Sequence, residues 1–424
     1  MEMRIGIACA QTQMEDYAMY DAVLLTEWAT FAVRWVHVIT AVAWIGSSFY
    51  FIALDLGLHR DRNLASGADG EEWQVHGGGF YHIQKYLVAP ERMPDDLVWF
   101  KWESYSTWLS GFALLFLVYY LGGDLFLVDP AVLDVPVWQA VAISMASLAF
   151  GWIVYNQLCK TFVNANQTVL MIALFVVLVG MALFYTNVFS GRAALLHLGA
   201  FTASIMTGNV FFIIMPNQRV VVADLKAGRK PDPKYGKIAK QRSTHNNYLT
   251  LPVIFLMLSN HYPLAFATDW NWLIAALVFL MGVTIRHYFN TVHACKGNPH
   301  WTWLATALIF VLIAWLSSGP QFAYQEEANM PAYAQKYAAA EGFDHVTDIV
   351  MGRCSMCHAA EPGWEGIMWP PKGVMLETPE QVAMLAREIY LQAGITHAMP
   401  PANVSYIEPE ERAAIVAWFR AAEG

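Results

Sequence analysis

From Gln167 to Phe189 the chain runs without one charged residue, through leucine, valine, methionine and phenylalanine. Lipid offers no partner to backbone N–H and C=O groups, so a span must satisfy them within itself as a helix of about 20 apolar residues. This stretch restricts the chain to a membrane protein or to one with a fully buried helix. Composition decides between them: 57% of the 424 residues are hydrophobic and only 14% charged, where soluble chains carry about 25% charged. The net charge of −9 leaves no basic face for nucleic acid.

The same reasoning predicts eight spans, at roughly 27–57, 105–128, 137–158, 167–189, 193–215, 247–266, 270–290 and 301–318. The opening residues do not read as a signal peptide, because the apolar run after Arg4 is too short before Glu15 and Asp16. Fifteen Lys and Arg residues fall on one side, in the loops 58–104 and 216–246 and at Lys160 and Lys296, against Arg4 and Arg192 on the other. The basic side is the cytoplasmic one. Both termini are therefore expected outside, in the periplasm of a bacterial inner-membrane protein. The loop 58–104 is long for a connection and carries Gly77, Gly78 and Gly79, which suits a lid or a re-entrant element.

After residue 319 the composition turns polar. Residues 1–319 read as the membrane domain, 320–341 as a linker and 342–424 as a small soluble domain. That domain is too small for a side-chain core alone. Cys354-Ser-Met-Cys357-His358 supplies the supplement: two thiols one turn apart can bond the two vinyl groups of a haem, and the next residue offers an imidazole to the iron. Met399, before Pro400 and Pro401, is the expected sixth ligand, with His397 as its competitor. The tail over about 330–424 resembles a class I cytochrome c. The expected fold class is thus all-α, a polytopic bundle of about eight transmembrane helices followed by a class I cytochrome c-like domain. Cys9, Cys159 and Cys295 receive no role.

Ionisable groups inside a bilayer are costly and mark function. Towards the outer face lie His37 and His197, either a pair holding a b-type haem or two separate interhelical hydrogen-bonding groups. Towards the inner face, residues 241–248 (QRSTHNNY) meet Arg286, His287 and Asn290 at one depth. Such a set of amides, hydroxyls, imidazoles and guanidinium suits a planar anionic heterocycle, and also suits an ordinary interface.

Six membrane segments carry a family resemblance: 44–52 (WIGSSFYFI), 76–86 (HGGGFYHIQKY), 101–111 (KWESYSTWLSG), 208–219 (GNVFFIIMPNQR), 242–252 (RSTHNNYLTLP) and 285–290 (IRHYFN). Together with the haem motif they resemble the bacterial membrane-bound urate oxidases (urate hydroxylases), in which an eight-span domain is fused to cytochrome c. The resemblance implies oxidation of urate to 5-hydroxyisourate with oxygen from water. Electrons would pass to the fused haem c and on to a soluble cytochrome c or terminal oxidase. Within that reading His287 or His245 is the expected base, Arg286 and Asn246 orient the anion, and Gln241 or Thr244 holds water. Two rival readings are an electron-transfer cytochrome without catalysis and a haem or copper transport protein.

Overall fold

The computed structural model describes residues 22–86, 94–162, 166–318, 330–365, 367 and 370–423, and it is mostly helical. Arg4, Cys9 and Arg92, and the first ten residues of the expected linker, lie outside the described residues. α1 (Ala22–Gly57) leads into strands β1 (Ala68–His76) and β2 (Gly79–Tyr86). α2 (Trp102–Leu114) continues as a π turn (Leu115–Tyr120) and is followed by the single turn α3 (Gly123–Phe126). α4 (Val137–Phe162) and α5 (Gln167–Thr186) come next. α6 (Gly191–Gly208) then runs through a second π turn (Asn209–Ile214) into α7 (Met215–Lys226). α8 (Pro233–Ser259), α9 (Asn271–His293) and α10 (Trp301–Ser318) complete the bundle.

Helices begin where the sequence supplies an oxygen for their unpaired N–H groups. Asn166 accepts from the Thr168 amide at 2.8 Å, Ser190 from Ala193 at 3.3 Å, and Asp232 from Lys234 at 2.9 Å. The π turn before α7 has a visible cause. Pro216 has no N–H for the preceding turn and its ring crowds the carbonyl there, so the helix takes up one extra residue and then continues. For that reason the fifth expected span does not end at residue 215.

Among the described residues, six helices are long and apolar enough to cross a membrane: α1, α4, α5, the continuous α6–α7, α9 and α10. The segments 105–128 and 247–266 form helices of another kind. α2 gives way to a π turn at Leu115, and α8 starts early, so the run containing Lys234, Lys237, Lys240 and Arg242 makes up its first half. Tyr155, Leu174, Tyr185, Phe201, Leu256 and Phe279 form the bundle core, while Trp35, Val42, Leu308 and Val311 stand exposed on α1 and α10. Apolar surface of this extent suits lipid and not water.

One element departs from the all-helical expectation. Alternating side chains in 73–76 and 80–83 form the antiparallel pair β1–β2, closed by Gly77 and Gly78 at φ 60° and 81°. The left-handed turn is what these glycines provide, in place of a close approach to a ligand.

The tail has its own core. It consists of α11 (Ala332–Ala338), α12 (Phe343–Arg353), α13 (Pro379–Met384), α14 (Ala386–Ile389) with a following π turn (Tyr390–Ile395), and α15 (Pro409–Glu423). Phe419 of α15 stacks on Tyr390 at 4.3 Å and on Tyr337 at 5.3 Å between ring centroids. Ala334 and Tyr337, inside the expected linker, belong to this core. The tail sits on the end of the bundle where α1 begins: Arg387 Nη2 donates to Glu27 Oε1 at 2.6 Å, Val23 packs on the tail core, and Gly373 lies beside Pro263.

Within the bundle, Pro252 of α8 meets Gly282 of α9, where a Cβ would stand 2.5 Å from the proline ring. Because a proline ring cannot rotate away, Gly282→Ala is expected to destabilise the bundle by about 1–3 kcal/mol. A lowered unfolding midpoint in detergent checks this; an unchanged midpoint contradicts the contact.

Candidate functional site

α8 presents two chemically different faces. Lys240, Thr244 and Tyr248, four residues apart, share the first. With Asp55 of α1, His287 and Asn290 of α9, and Lys296 they line an opening of about 230 Å³. Asp55 is ion-paired with Lys85 of β2 and lies 3.5 Å from Lys240, so the hairpin is tied to the mouth. Thr244 Oγ1 donates to the Lys240 carbonyl at 2.9 Å, which leaves its lone pairs free to accept.

Arg286 stands directly behind this wall, 5% exposed. Its Nε donates to Asn247 Oδ1 at 3.1 Å and its Nη2 to Asn290 Oδ1 at 2.9 Å, while Asn290 Nδ2 also donates to Asn247 Oδ1 at 3.1 Å. The guanidinium lies 4.1 Å from the centre of the Phe49 ring on α1. No carboxylate is among these partners. Asn247 Nδ2, fully buried, has no partner among the described residues. A buried cation surrounded by neutral amides and spare donors holds its charge uncancelled, which is the electrostatic requirement for binding an anion.

The second face of α8 closes a network with α4 and α6. Arg242, 3% exposed, donates to Asn209 Oδ1 at 3.2 Å and Asn156 Oδ1 at 2.9 Å, with its guanidinium 4.9 Å from the Tyr155 ring centre. Asn209 Nδ2 donates to Asn246 Oδ1 at 2.9 Å and to the Tyr155 hydroxyl at 3.2 Å. That hydroxyl lies 2.8 Å from His245 Nδ1, a hydrogen bond whose direction follows the imidazole tautomer.

The six residues expected at one site therefore separate. His287 and Thr244 line the opening and Arg286 backs it. His245 and Asn246 belong to the network on the opposite face of the helix, and Gln241 turns to Gln167, at 3.2 Å. Residues missed in the sequence are Asp55, Lys240 and Lys296. The four-residue spacing of Lys240, Thr244 and Tyr248 was the available signal; nothing local marked Asp55, whose position depends on how α1 packs.

His37 and His197 are each engaged separately. His37 Nδ1 contacts the Thr107 carbonyl at 3.0 Å and Ser110 Oγ at 3.1 Å, an anchoring that leaves Nε2 for a ligand. His197, fully buried, donates from Nδ1 to Ala193 O at 2.7 Å and accepts at Nε2 from Ser144 Oγ at 2.9 Å. His37 thus fits one axial position of a b-type haem, whereas His197 as it stands does not fit the other, because Ser144 holds its second nitrogen.

In the tail, Cys357 N and His358 N both donate to the Cys354 carbonyl, at 3.1 and 3.0 Å, which winds the motif into one turn. Neither cysteine is paired in a disulfide. Burial pushes the Cys354 thiol up to about 11, so it is uncharged at neutral pH. His358 Nδ1 donates to Val374 O at 3.0 Å, fixing the ring and leaving Nε2 for iron. These residues fit a c-type haem. Arg412, unremarked in the sequence, donates to the carbonyls of Ala393 and Met399, at 2.5 and 3.0 Å, and so shapes the loop that carries Met399.

The architecture defines a helical-bundle protein with an opening at one end, lined by Asp55, Lys240, Asn290 and Lys296 and backed by Arg286, and a separately cored helical tail at the other. The family model described as urate oxidase N-terminal matches residues 23–317, and the chain belongs to that family. The match covers the bundle and stops before the tail. No curated protein and no solved structure matches the chain significantly.

Removing one partner of a buried charge costs more than removing the charge itself. Asn247→Leu, which strands Arg286, is expected to destabilise by about 3 kcal/mol or more, and Arg286→Met by clearly less. Chemical unfolding of the two variants in detergent checks the order; the reverse order would show that the amides do not carry the guanidinium.

Proposed function

We propose that the protein oxidises urate to 5-hydroxyisourate at the opening between α1, α8 and α9. The bundle spans the bacterial inner membrane, and the tail is a periplasmic cytochrome c that receives the electrons. Membership of the urate oxidase family supports the substrate. The observation that carries the site is Arg286, a buried guanidinium answered only by amides, behind a wall that also presents Lys240 and Lys296.

Urate is an anion at neutral pH; Arg286 and Lys296 favour its entry, while Asp55 offsets Lys240. Asn290 and Tyr248 offer donors and acceptors to the ring edge. The reaction converts urate and water into 5-hydroxyisourate, two electrons and two protons. His287, open to the same space, takes a proton from urate or water, and Thr244 accepts a hydrogen bond from the water. His245, with Nδ1 held by Tyr155, orders the helix behind the site and does not touch substrate.

Cys354, Cys357, His358 and Met399 would hold a c-type haem, which would supply one-electron acceptance, with a soluble cytochrome c or a terminal oxidase as the onward acceptor. A b-type haem at His37 would supply one-electron storage within the bundle. The contact of the tail with the start of α1, opposite the basic loops, supports a periplasmic tail and a cytoplasmic urate site.

Urate added anaerobically to the purified holoprotein is expected to reduce the tail haem, seen as growth of its α band. Arg286→Gln is expected to raise KM for urate by about ten- to a hundredfold, the loss of one charged hydrogen-bond site. If dithionite reduces the haem and urate does not, the oxidase reading is wrong.

A further inference from the structure

The β1–β2 hairpin leaves the end of α1 and climbs back along the same helix. At its base Lys85 is paired with Asp55, and Glu72 lies so close to Gly57 that a Cβ there would stand 3.1 Å from Glu72 Oε2. Nearer its tip, Tyr50 OH donates to Gln74 Oε1 at 2.7 Å. From Gly57 to Tyr50 is about 10 Å back up the helix at 1.5 Å per residue. The residues beyond Gln74 continue in that direction, alongside the apolar part of α1.

The register pairs Val75 with Phe80 and Trp73 with His82, so Trp73, Val75 and Phe80 share one face, while Gln74 and Tyr81 share the other, on which the Tyr50 contact lies. Val75 is 71% exposed and Phe80 77%, and no described residue covers them. Towards the base the same face turns polar: His82 Nε2 lies 2.8 Å from Glu71 Oε2, with Arg62 3.7 Å from the other oxygen. The hydrogen bond from His82 is the main cause that holds the Glu71 carboxyl below its ordinary range, so this base is charged at neutral pH. A hairpin charged at its foot and apolar at its tip, rising beside a lipid-facing helix, has the profile of an element that passes from water into the headgroup region.

We propose that the tip of this hairpin, Trp73, Val75 and Phe80, inserts into the cytoplasmic leaflet and anchors the β1–β2 element in lipid. The proposal rests on the bundle spanning a membrane. The depth is limited, because a two-stranded sheet has unpaired edges that hydrocarbon cannot satisfy. The tip therefore lies at the boundary between headgroups and acyl chains. The anchor also explains why the mouth of the opening takes its ion pair from β2: the strand bearing Lys85 is held from the lipid side.

The test uses the full chain with Cys9, Cys159 and Cys295 replaced by Ser, reconstituted in vesicles of phosphatidylcholine and phosphatidylglycerol. A nitroxide is placed at Phe80→Cys, at Ile39→Cys on the exposed face of α1, or at Lys230→Cys in the polar loop; the same chain without an added cysteine gives the background. Relaxation by oxygen is compared with relaxation by a water-soluble nickel chelate. Oxygen is expected to dominate at positions 39 and 80 and the chelate at 230. Chelate dominance at 80 with oxygen dominance at 39 overturns the anchor and leaves the bundle in the membrane. Shielding of 80 from both reagents overturns it in favour of contact with a second copy of the chain. Chelate dominance at 39 removes the membrane reading itself and the anchor with it.

Discussion

A positive charge kept inside a helical bundle without a negative partner is the constraint on which the end of the bundle away from the tail depends. Arg286 is held by Asn247, Asn290 and the face of Phe49, so three helices, α8, α9 and α1, must converge at one depth. Arg242 imposes the same demand on the opposite face of α8 through Asn156, Asn209 and the Tyr155 ring. Amides rather than carboxylates make chemical sense here. They satisfy the N–H groups of a guanidinium while leaving its field intact, and only an intact field attracts an anion. A carboxylate in place of Asn290 would neutralise the wall.

The long apolar stretches were legible because a helix in lipid has few alternatives, and Gln167–Thr186 formed nearly as read. The turn at Cys354–His358 was legible because it is local: Cys354, Cys357 and His358 wind around one carbonyl whatever surrounds them. The site was legible only as a depth. Residues 241–248 do come to one end of the bundle, yet a helix turns by about 100° per residue, so neighbours in sequence face different partners. His245 and Thr244 are adjacent and look into different spaces. The hairpin was missed as a strand pair because glycines open several conformations at once, and only the register of 73–83 identifies which one is used.

The tail and the bundle have separate cores, joined where Glu27 meets Arg387 and Val23 enters the tail's packing. Two cores in one chain allow each part to meet its own solvent. The bundle shows its leucines and valines outward, while the tail hides Trp418, Phe419 and Tyr390 within. The part that the family model covers and the part that carries the haem motif therefore divide at the same place as the packing does.

The π turn between α6 and α7 has a consequence for comparing sequences. A π turn holds one residue more than the helical turn it replaces. Deleting a residue from 209–214 would restore a regular helix there and leave the helix beyond it in nearly the same orientation, with one side chain fewer in the turn. Asn209 opens that turn and links Arg242, Asn246 and Tyr155. A relative one residue shorter at this point would keep an uninterrupted helix with one side chain fewer beside this network, so an alignment gap here bears on the amide cluster rather than on loop length.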